Sequence, residues 1–459
     1  MVGARRPTQP ANRFRSRALR LAAGKAARRR VPRSAHAAWS APSDRPDPIA
    51  LIEEASRPLE PRLVPIRYGR MSLSPLSFLR GSVGIMARDL AGTAHTGFRV
   101  QLGGDAHLSN FGVFGTPERA EVFDQTDFDE TLPGPWEWDL KRLAVSLVVS
   151  GRQNGFPRPE TRRAALRALR TYRRSMALYA SMNYVDTWYS HLDPQSVSRL
   201  VARQGTATVD GYVRKALGHT ALHAFPRLVR REGGRCRIRD QPPLILHYPT
   251  TTEVEVSHAL FDRYLATLPE ERRMLLDRYR PVDVAQKVVG VGSVGSACSV
   301  MLLIGDPDTK DPIFLQIKQA FPSALEPYFG GSSYPNPAQR VVVGQHLIQE
   351  ASDVLLGWGS LRTQHFSVRQ LWDLKYSIDP ASMGPKELAG HAELCGAALA
   401  RAHARTGDPA RISGYLGAKD TFDHAVAGFA ESYAGQVRRD HAELLRAIKK
   451  GRLRAEVDV

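Results

Sequence analysis

Two polar turns supply the side chains of this sequence that are best suited to chemistry. GGDAHLSNFGVFG holds Asp105, His107 and Asn110 between glycines, and VFDQTDFDET holds Asp127 and Asp129 around a phenylalanine. Phosphoryl transfer requires a carboxylate that orients or deprotonates a hydroxyl group, and oxygen ligands for Mg²⁺. Asp105 suits the first task and the other carboxylates and the asparagine suit the second, while His107 either steadies the turn or contacts substrate. Each turn alone also fits an ordinary polar surface loop.

A glycine-rich segment farther along the chain has the composition of a phosphate-binding loop. It reads GVGSVG, and the residues expected to contact a phosphate are Gly290, Gly292, Ser293 and Gly295. Glycine lets the backbone approach a ligand closely and adopt positive φ angles. A dinucleotide-binding fold would continue with a helix, but the β-type sequence SACSVMLLIG follows here. A strand–glycine loop–strand unit covers ATP phosphates in protein-kinase-like folds, so a nicotinamide-dependent enzyme is disfavoured.

A lysine and a glutamate complete the nucleotide site that this hairpin predicts. Lys318 ends the alternating apolar run IFLQIK, where a third-strand lysine would pair with the α- and β-phosphates. On the next predicted helix, Val343, Leu347, Glu350 and Val354 share one stripe, and a carboxylate on an apolar stripe is costly unless it is paired. We therefore expect Glu350 to hold Lys318. A lysine in solvent and a glutamate at the wet edge of the helix are the alternatives.

Together these residues predict a site for ATP and Mg²⁺. The predicted catalytic residues are Asp105 and Lys318; the predicted ATP contacts are Gly290, Gly292, Ser293, Gly295, Lys318 and Glu350; the predicted metal ligands are Asn110, Asp127 and Asp129. The segment HFSVRQLWDLK would provide the strand and hinge against which adenine stacks. Its Arg369 and Lys375 could contact acidic groups, but the exposed face of a strand is the favoured interpretation.

The two polar turns resemble the H-G-D-x-H-x-x-N and D-x-D motifs of the aminoglycoside phosphotransferase branch of the kinase-like superfamily. GPWEWDLKRLA, which contains Asp139, is similar to the G-D-P-x-x-D-L-A stretch that follows those motifs, where the aspartate braces the catalytic loop. The departure is Gly103, which stands where that branch usually has histidine. The resemblance implies a kinase-like fold that uses ATP and Mg²⁺ to phosphorylate a hydroxyl group.

From about residue 60 to residue 450, the chain also resembles the bacterial domain-of-unknown-function family 2252. The matching segments are SPLSFLRG, GGDAHLSNFG, DFDETLPGPWEWDLKRLAVS, VVGVGSVGSACSVMLL, FLQIKQA, RVVVGQHLIQEASDVLLG, VRQLWDLK and CGAALARAHARTGD. This resemblance implies no established activity, so the function has to be inferred from the site itself.

The order of the parts differs from that of ordinary kinases, because both polar turns precede the glycine segment by roughly 160 residues or more. We predict an α+β, protein-kinase-like two-lobe fold in circularly permuted order, which is tolerable because active-site geometry depends on spatial order. The predicted parts are a disordered basic arm (1–48), a helical lobe with the catalytic and metal loops (49–280), a small antiparallel β-lobe (281–380) and helices that return to the large lobe (381–459).

Local patterns predict the elements that position the site. SPLSFLRGSVGIMARDLAG is expected to form one helix, capped by Ser74 and ended at Gly92. FRVQLGG and AEVFDQ predict short strands, whereas WEWDLKRLAVSLVVSG and RPETRRAALRALRTYRRSMALYASM predict helices. Residues 190–280 are expected to be helical with loops. Residues 281–320 predict three antiparallel strands, followed by a helix, a strand pair and further helices.

Bulk composition limits the remaining classes of function. The 459 residues carry a formal net charge of +18, but eleven Lys and Arg residues and no acid precede Asp44, and without them the charge is +7. We interpret that segment as a mobile basic arm with at most a weak contact to polyanions. The longest apolar runs fall short of the ~20 residues of a membrane span. Three scattered cysteines indicate reduced thiols in the cytoplasm.

The leading hypothesis is therefore an ATP- and Mg²⁺-dependent phosphotransferase that acts on a hydroxyl group of a small molecule. The alternatives are a kinase-like nucleotide-binding module without turnover, a nucleotidyl transferase that binds ATP in reverse, and a nucleic-acid-associated protein led by the basic arm. The last alternative predicts binding that weakens with added salt and disappears when residues 1–43 are removed.

Overall fold

Helices and antiparallel strands occupy different stretches of the chain, which makes this an α+β protein. The computed structural model describes residues 15–192, 201, 203–216, 221–233, 235–247, 251–288, 290, 294–306, 311–371, 376–377 and 379–457. The helices are α1 (Arg17–Ala27), α2 (Pro48–Ser56), α3 (Val64–Ser72), α4 (Pro75–Gly81), α5 (Val83–Ala91), α6 (Glu137–Gln153), α7 (Arg158–Ser181), α8 (Tyr184–Trp188), α9 (Arg203–Ala216), α10 (Ala221–Leu228), α11 (Thr251–Leu265), α12 (Glu270–Leu276), α13 (Glu326–Phe329), α14 (Pro337–Ile348), α15 (Pro385–Thr406), α16 (Pro409–Leu416) and α17 (Thr421–Lys449). The strands are β1 (Arg99–Leu102), β2 (Phe111–Gly115), β3 (Glu121–Gln125), β4 (Leu132–Pro135), β5 (Val229–Glu232), β6 (Arg235–Ile238), β7 (Ile245–His247), β8 (Arg280–Lys287), β9 (Cys298–Ile304), β10 (Pro312–Ala320), β11 (Gly357–Leu361), β12 (Gln364–Gln370) and β13 (Tyr376–Ser377).

Helices α6, α7 and α15 form the centre of the helical part. Most residues of α6 are buried, because its sequence contains the apolar run LAVSLVVSG. The alanine-rich α15 packs along α7. A β-carbon on Gly396 would lie 2.3 Å from the backbone oxygen of Ala168, so small residues set the distance between these helices. Helices α16 and α17 add apolar residues to the same core. Within the described residues, no helix is both long enough and apolar enough to cross a bilayer.

A six-stranded antiparallel sheet has the order β11-β12-β10-β9-β8-β7. The predicted three-stranded unit is confirmed as β8 to β10, and the predicted strand pair as β11 with β12. Side chains alternate between the two faces of the sheet. Met301 and Leu303 pack against α11 on one face, and Val300 and Leu302 belong to a separate apolar cluster on the other. Strand β10 lies between β9 and β12, which places Lys318 opposite Cys298 and Ser367.

The prediction of a disordered arm over residues 1–48 is wrong for the part that the structure describes. Helix α1 packs against α16, and arginines that follow α1 donate hydrogen bonds to backbone oxygens of the protein. Arg28 donates to the backbone oxygens of Tyr415 (2.8 Å) and Gly414 (2.6 Å). Arg33 donates to the backbone oxygen of Leu416 (2.6 Å). The last carbonyl groups of a helix have no partner within it, and arginines satisfy them here. The first fourteen residues lie outside the described part.

Ion pairs join the segment before α2 to the C-terminal helix α17 and the residues after it. Arg45 is buried between Asp89 (2.8 Å) and Asp440 (2.7 Å), which joins the segment before α2 to α5 and to α17. Arg452, just after α17, contacts the carboxylates of Asp47 and of Glu53 in α2, each at 2.8 Å. The segment before α2, α2 itself and α5 are therefore linked to α17 and to Arg452 by ion pairs.

Two further predictions of local structure are corrected. The helix expected from Ser74 to Gly92 is two helices, α4 and α5, because Ser82 leaves the helical conformation between them (φ −127°, ψ 42°). Ser74 does cap the first of them: its Oγ accepts the N–H of Ser77 at 3.1 Å. Residues 190–280, expected to contain helices and loops only, also contribute β5, β6 and β7.

Arg28→Ala tests whether the basic segment is structural. The variant leaves two carbonyl groups at the end of α16 without their donor, so we expect the free energy of unfolding to fall by about 1–3 kcal/mol. Arg29→Ala is the matched control because Arg29 is exposed, and it should change stability by less than about 0.5 kcal/mol. Urea unfolding measures both variants. Equal stability of the two would restore the mobile-arm interpretation.

The first turn of α6 contains a buried carboxyl group with an unusual pKa. Glu137 is fully buried, and its Oε1 accepts the N–H of Thr96 at 2.7 Å. Burial raises the pKa of Glu137 from 4.5 to about 7, although the hydrogen bonds from Thr96 oppose the shift. The folded protein therefore keeps a proton that the unfolded chain releases between these two values. Stability that is present at low pH is lost as pH rises through this window.

Glu137→Gln is expected to flatten the pH dependence of stability. In the wild type, this group lowers the free energy of unfolding by up to about 3 kcal/mol as pH rises from 4.5 to 7. The variant has no proton to release and loses this component, whereas Glu118→Gln, at an exposed position, should keep the wild-type slope. Urea unfolding at several pH values measures the three profiles. Parallel profiles for wild type and Glu137→Gln would contradict the assignment.

Candidate active site

The hairpin of β2 and β3 brings the two polar turns side by side. Phe111 pairs with Gln125 at its open end, and the N–H of Thr126 donates to the backbone oxygen of Asn110 at 2.9 Å. The turn that enters β2 and the turn that leaves β3 are therefore neighbours in space. One cavity of about 480 Å³ is lined by carboxylates from both turns: Asp105, Asp127 and Asp129.

Helix α6 braces the first turn through its backbone. Asp139 accepts the N–H groups of Gly103 (2.8 Å) and Gly104 (3.1 Å), one on each carboxylate oxygen. His403 of α15 lies 3.3 Å from one of these oxygens, through its Nε2. The contacts of Asp139 match the bracing role that the sequence resemblance implies for it.

Two more side chains on the same face of α6 fix the turn farther along. Arg142 donates from Nε to Asp105 Oδ1 at 2.8 Å, and Ser146 Oγ accepts the N–H of Leu108 at 2.9 Å. Together with Asp139 these residues are spaced i, i+3, i+7, so they share one stripe of the helix. Sequence reasoning missed Arg142 and Ser146. The signal that could have found them is a polar stripe on a helix that is otherwise apolar.

The two glycines of the first turn, Gly103 and Gly104, lie close to neighbouring atoms. A β-carbon on Gly103 would lie 2.1 Å from Gln125 Oε1. At Gly104, whose φ is +84°, a β-carbon would lie 2.3 Å from the backbone oxygen of Glu130. A histidine at position 103, as in the aminoglycoside phosphotransferase branch, would therefore require the side chain of Gln125 to move aside.

Asp105 lies at the edge of the cavity with the properties of a proton acceptor. Its side chain is 15% exposed, pairs with Arg142 at 2.7 Å and lies 3.7 Å from His107 Nε2. Burial raises the pKa of this carboxyl group, and the charge of Arg142 opposes the shift without cancelling it. A carboxylate with a raised pKa accepts protons more readily than a surface aspartate does.

His107 and Asn110 shape the turn from inside. His107 is buried, its Nδ1 accepts the N–H of Ser109 at 3.2 Å, and burial pushes its pKa well below the usual value. A neutral, enclosed ring of this kind steadies the turn. Asn110 donates from Nδ2 to the backbone oxygen of Asp105 at 2.9 Å, which leaves its amide oxygen as the atom suited to bind a cation.

Asp127 is ionised and lies among cations. Burial would raise the pKa of its carboxyl group, but Lys318 and Arg369 outweigh burial and hold the pKa at about 2. Its Oδ1 also accepts the N–H of Asp129 at 3.3 Å, which fixes the carboxylate against its own turn. The carboxylate of Asp127 is therefore negatively charged throughout the neutral pH range.

Arg369 on β12 belongs to the site, which corrects the interpretation of it as the exposed face of a strand. It donates to Gln316 Oε1 at 2.9 Å and to the backbone oxygen of Thr126 at 3.2 Å, so it joins the sheet to the second turn. Strand alternation alone does not tell which face meets another element, and this is why the sequence misled. Lys375 and the rest of the predicted hinge, residues 372–375, lie outside the described part of the chain.

Lys318 pairs with a carboxylate of the second turn. Its ammonium group contacts the carboxylate of Asp129, across the boundary between the sheet and the helical part. Burial would lower the pKa of this lysine, but Asp129 and Asp127 outweigh burial and raise it. Lys318 is therefore charged, and it lies beside the two acidic groups with which the sequence grouped it.

The predicted pairing of Glu350 with Lys318 is wrong. Helix α14 ends at Ile348, so Glu350 no longer follows the helical stripe. Its buried carboxylate accepts the N–H of Leu192 at 2.8 Å and lies 3.7 Å from Nε of Arg401. A stripe argument holds only while the helix continues, and here the backbone becomes extended one residue earlier. Glu350 contributes to the packing behind the second turn, away from Lys318.

The described part of the glycine hairpin contacts a residue that lines the acidic cavity. Gly295 has a φ of +99°, and its backbone oxygen accepts an N–H from the segment before α3 at 2.7 Å. Leu59 of that segment packs on Gly295 and also lines the cavity. Of the other predicted phosphate contacts, Gly290 is exposed, and Gly292 and Ser293 lie outside the described residues.

A second, much smaller pocket adjoins the acidic cavity. The two share Asp127 and Asp129, and Lys318 and Arg369 form the opposite wall of the smaller one. Asp127 and Asp129 carry oxygens of the kind that Mg²⁺ binds, commonly one or two from protein with water and phosphate completing the shell, whereas Asn110 lines neither of these two pockets. Among the described side chains, no group of three or more His, Cys, Asp or Glu is arranged to hold a metal ion by itself.

The fold and the site define an α+β protein with an acidic cleft beside a glycine hairpin. The chain belongs to the family described as "Uncharacterized protein conserved in bacteria (DUF2252)", whose model matches residues 59–447. The resemblance to this family that the sequence indicates is thereby confirmed. No curated protein and no solved structure matches the chain.

A double-mutant cycle tests the hold of α6 on Asp105. Arg142→Met leaves a mostly buried carboxylate without its counter-charge, and we expect the free energy of unfolding to fall by about 3 kcal/mol. Arg142→Met combined with Asp105→Asn should recover part of this loss, because no charge is then left unpaired. The control is Arg163→Met, which breaks an exposed pair with Glu160 and should cost less than about 1 kcal/mol. Urea unfolding provides the values, and a double variant as unstable as the single one would refute the pairing argument.

Proposed function

We propose that this protein is an ATP- and Mg²⁺-dependent phosphotransferase that phosphorylates a hydroxyl group of a small molecule. The observation that carries the proposal is the meeting of distant residues: Asp129 and Lys318, 189 positions apart, contact each other at the boundary of two adjoining cavities. Asp127 also lines both cavities, and Asp105 lines the larger one. Metal ligands, a proton acceptor and a phosphate-binding cation in one cleft are the parts that phosphoryl transfer requires.

We also propose that the architecture is kinase-like and two-lobed, in permuted chain order. In support, β8 and β9, the strands on either side of the glycine segment, pair with each other, and β9 also pairs with β10, which carries the lysine. A glycine hairpin beside a lysine-bearing strand is the arrangement that covers nucleotide phosphates in protein kinases. The helical part supplies both acidic turns, which come first along the chain.

Each residue of the site has a proposed role that follows from its surroundings. Asp127 and Asp129 hold Mg²⁺, and Lys318 and Arg369 face the phosphates from the sheet. Asp105 accepts the proton of the acceptor hydroxyl, since its pKa is raised. When bound, Mg²⁺–ATP supplies the transferable γ-phosphoryl group and the metal charge that offsets the phosphates.

Labelled ATP separates this proposal from its alternatives. The wild-type protein is titrated with ATP with and without Mg²⁺ by calorimetry, and is then incubated with ATP labelled on the γ- or the α-phosphate and a pool of hydroxyl-bearing small molecules. Mg²⁺-dependent binding and transfer of the γ-label support a phosphotransferase. Transfer of the α-label would assign nucleotidyl transfer instead, and binding without transfer of either label would leave a nucleotide-binding module.

Variants of the site are expected to separate binding from transfer. Asp127→Asn and Lys318→Ala should weaken ATP binding at least about tenfold, which is ~1.4 kcal/mol, because each removes a charge that faces the metal or the phosphates. Asp105→Asn should keep ATP binding and lose transfer by about 10²- to 10⁴-fold. The exposed residues Asp277 and Lys419 provide the controls Asp277→Asn and Lys419→Ala, which should retain both. Unchanged ATP binding in Asp127→Asn and Lys318→Ala would exclude the assigned roles.

A further inference from the structure

The larger cavity contains an arginine that the proposed transfer chemistry does not use. Arg80, in the last turn of α4, lines this cavity together with Asp105 and Asp127. Its Nε is buried and finds no hydrogen-bond acceptor among the described residues. A buried nitrogen donor without an acceptor costs folding free energy. A bound anionic ligand would supply the acceptor that Arg80 lacks.

The nearest carboxylates are already held by other cations. Arg142 contacts Asp105 Oδ1 at 2.7 Å, and Lys318 and Arg369 dominate the charge around Asp127. Asp105 and Asp127 act on Arg80 only through space, since neither lies within ion-pair distance of it in the described part of the chain. Arg80 therefore offers the cavity a guanidinium group that has no ion-pair partner among the residues that the structure describes, although five carboxylates also line this cavity.

Arg80 lies on the acceptor side of the cleft. It lines the large cavity but not the small pocket, whereas Lys318 and Arg369 line the small pocket but not the large cavity. The proposed phosphate-binding cations and Arg80 are therefore separated by the shared carboxylate Asp127. An anion held by Arg80 lies in the same cavity as Asp105, the proposed proton acceptor.

The remainder of the large cavity suits the body of a small molecule. Leu51 and Ile52 of α2, Val83 of α5 and Phe321 after β10 contribute apolar surface to it. Cavities of a few hundred Å³ with mainly apolar walls and a few polar groups are typical of small-molecule sites. At about 480 Å³, this one has room for a compact molecule beside the charged groups.

We propose that Arg80 binds an oxyanion, a carboxylate or a phosphate, carried by the acceptor and thereby orients the acceptor hydroxyl towards Asp105. A planar guanidinium group binds both oxyanions through paired hydrogen bonds. The acceptor class is then an anionic alcohol with a partly apolar body, such as a hydroxy acid or a phosphorylated alcohol. The identity of the acceptor rests on the proposed function, but the oxyanion site itself does not.

Simple anions test the site without any nucleotide. Benzoate and phenyl phosphate are expected to raise the melting temperature of the wild type, and benzyl alcohol, which has the same ring without the charge, is not. Arg80→Met should bind both anions at least tenfold more weakly. Without ligand, Arg80→Met should melt above the wild type, because a buried donor without an acceptor is removed; an arginine that serves only the fold would give the opposite shift. Arg57→Met, at an exposed position before the cavity-lining Leu59, is the control.

Arg80→Lys keeps the test decisive if Arg80→Met does not fold. Lysine keeps the charge without the paired donors, so the affinity for both anions should fall between those of wild type and Arg80→Met. Equal anion binding by wild type and both variants overturns the proposal. Loss of ATP binding in Arg80→Met with unchanged benzoate binding also overturns it, because the arginine would then serve the nucleotide. Anion binding that depends on Arg80 in a protein that does not bind ATP would support the oxyanion site and refute the phosphotransferase.

Discussion

The polar stripe of α6 is the constraint on which the rest of the site depends. Asp139, Arg142 and Ser146 use one face of a mostly apolar helix to satisfy the backbone and the carboxylate of a single turn. Each of these groups is buried, and a buried donor or acceptor without its partner costs free energy. The turn therefore has one arrangement that satisfies all of them. Asp105 is positioned by the core of the helical part, and not by the loop in which it lies.

A second constraint joins the sheet to this core. Arg340 of α14 is almost fully buried and donates to the backbone oxygens of Asp129 (2.8 Å), Thr131 (2.7 Å) and Phe321 (2.8 Å). One guanidinium group thus links the second acidic turn, its continuation and the segment after β10. The ion pair of Lys318 with Asp129 crosses the same boundary. Charge-assisted hydrogen bonds therefore set the position of the sheet against the turns.

Local chemistry could be predicted from the sequence, and long-range partners could not. The glycine segment, the three strands and the grouping of Asp105 with Asn110 depend on turn residues and on side-chain alternation, which are local signals. Glu350 shows the limit: two residues beyond the end of a helix, its carboxylate meets Arg401 and not Lys318. The arginines around α1 show another limit, because composition does not reveal that the carbonyl groups of α16, far along the chain, need donors.

The ion pairs that tie the segment before α2 to α17 have a consequence for engineering. Since Arg45 holds Asp440 and Arg452 holds Asp47, the segment just before α2 could be joined by a short peptide bridge to the residues just after α17, in a chain that gives up the contacts of α1. The backbone would then be a closed ring. The ring could be opened instead at residues 117–120, which are exposed between β2 and β3. The resulting circular permutant would start at β3 and is expected to form the same cleft.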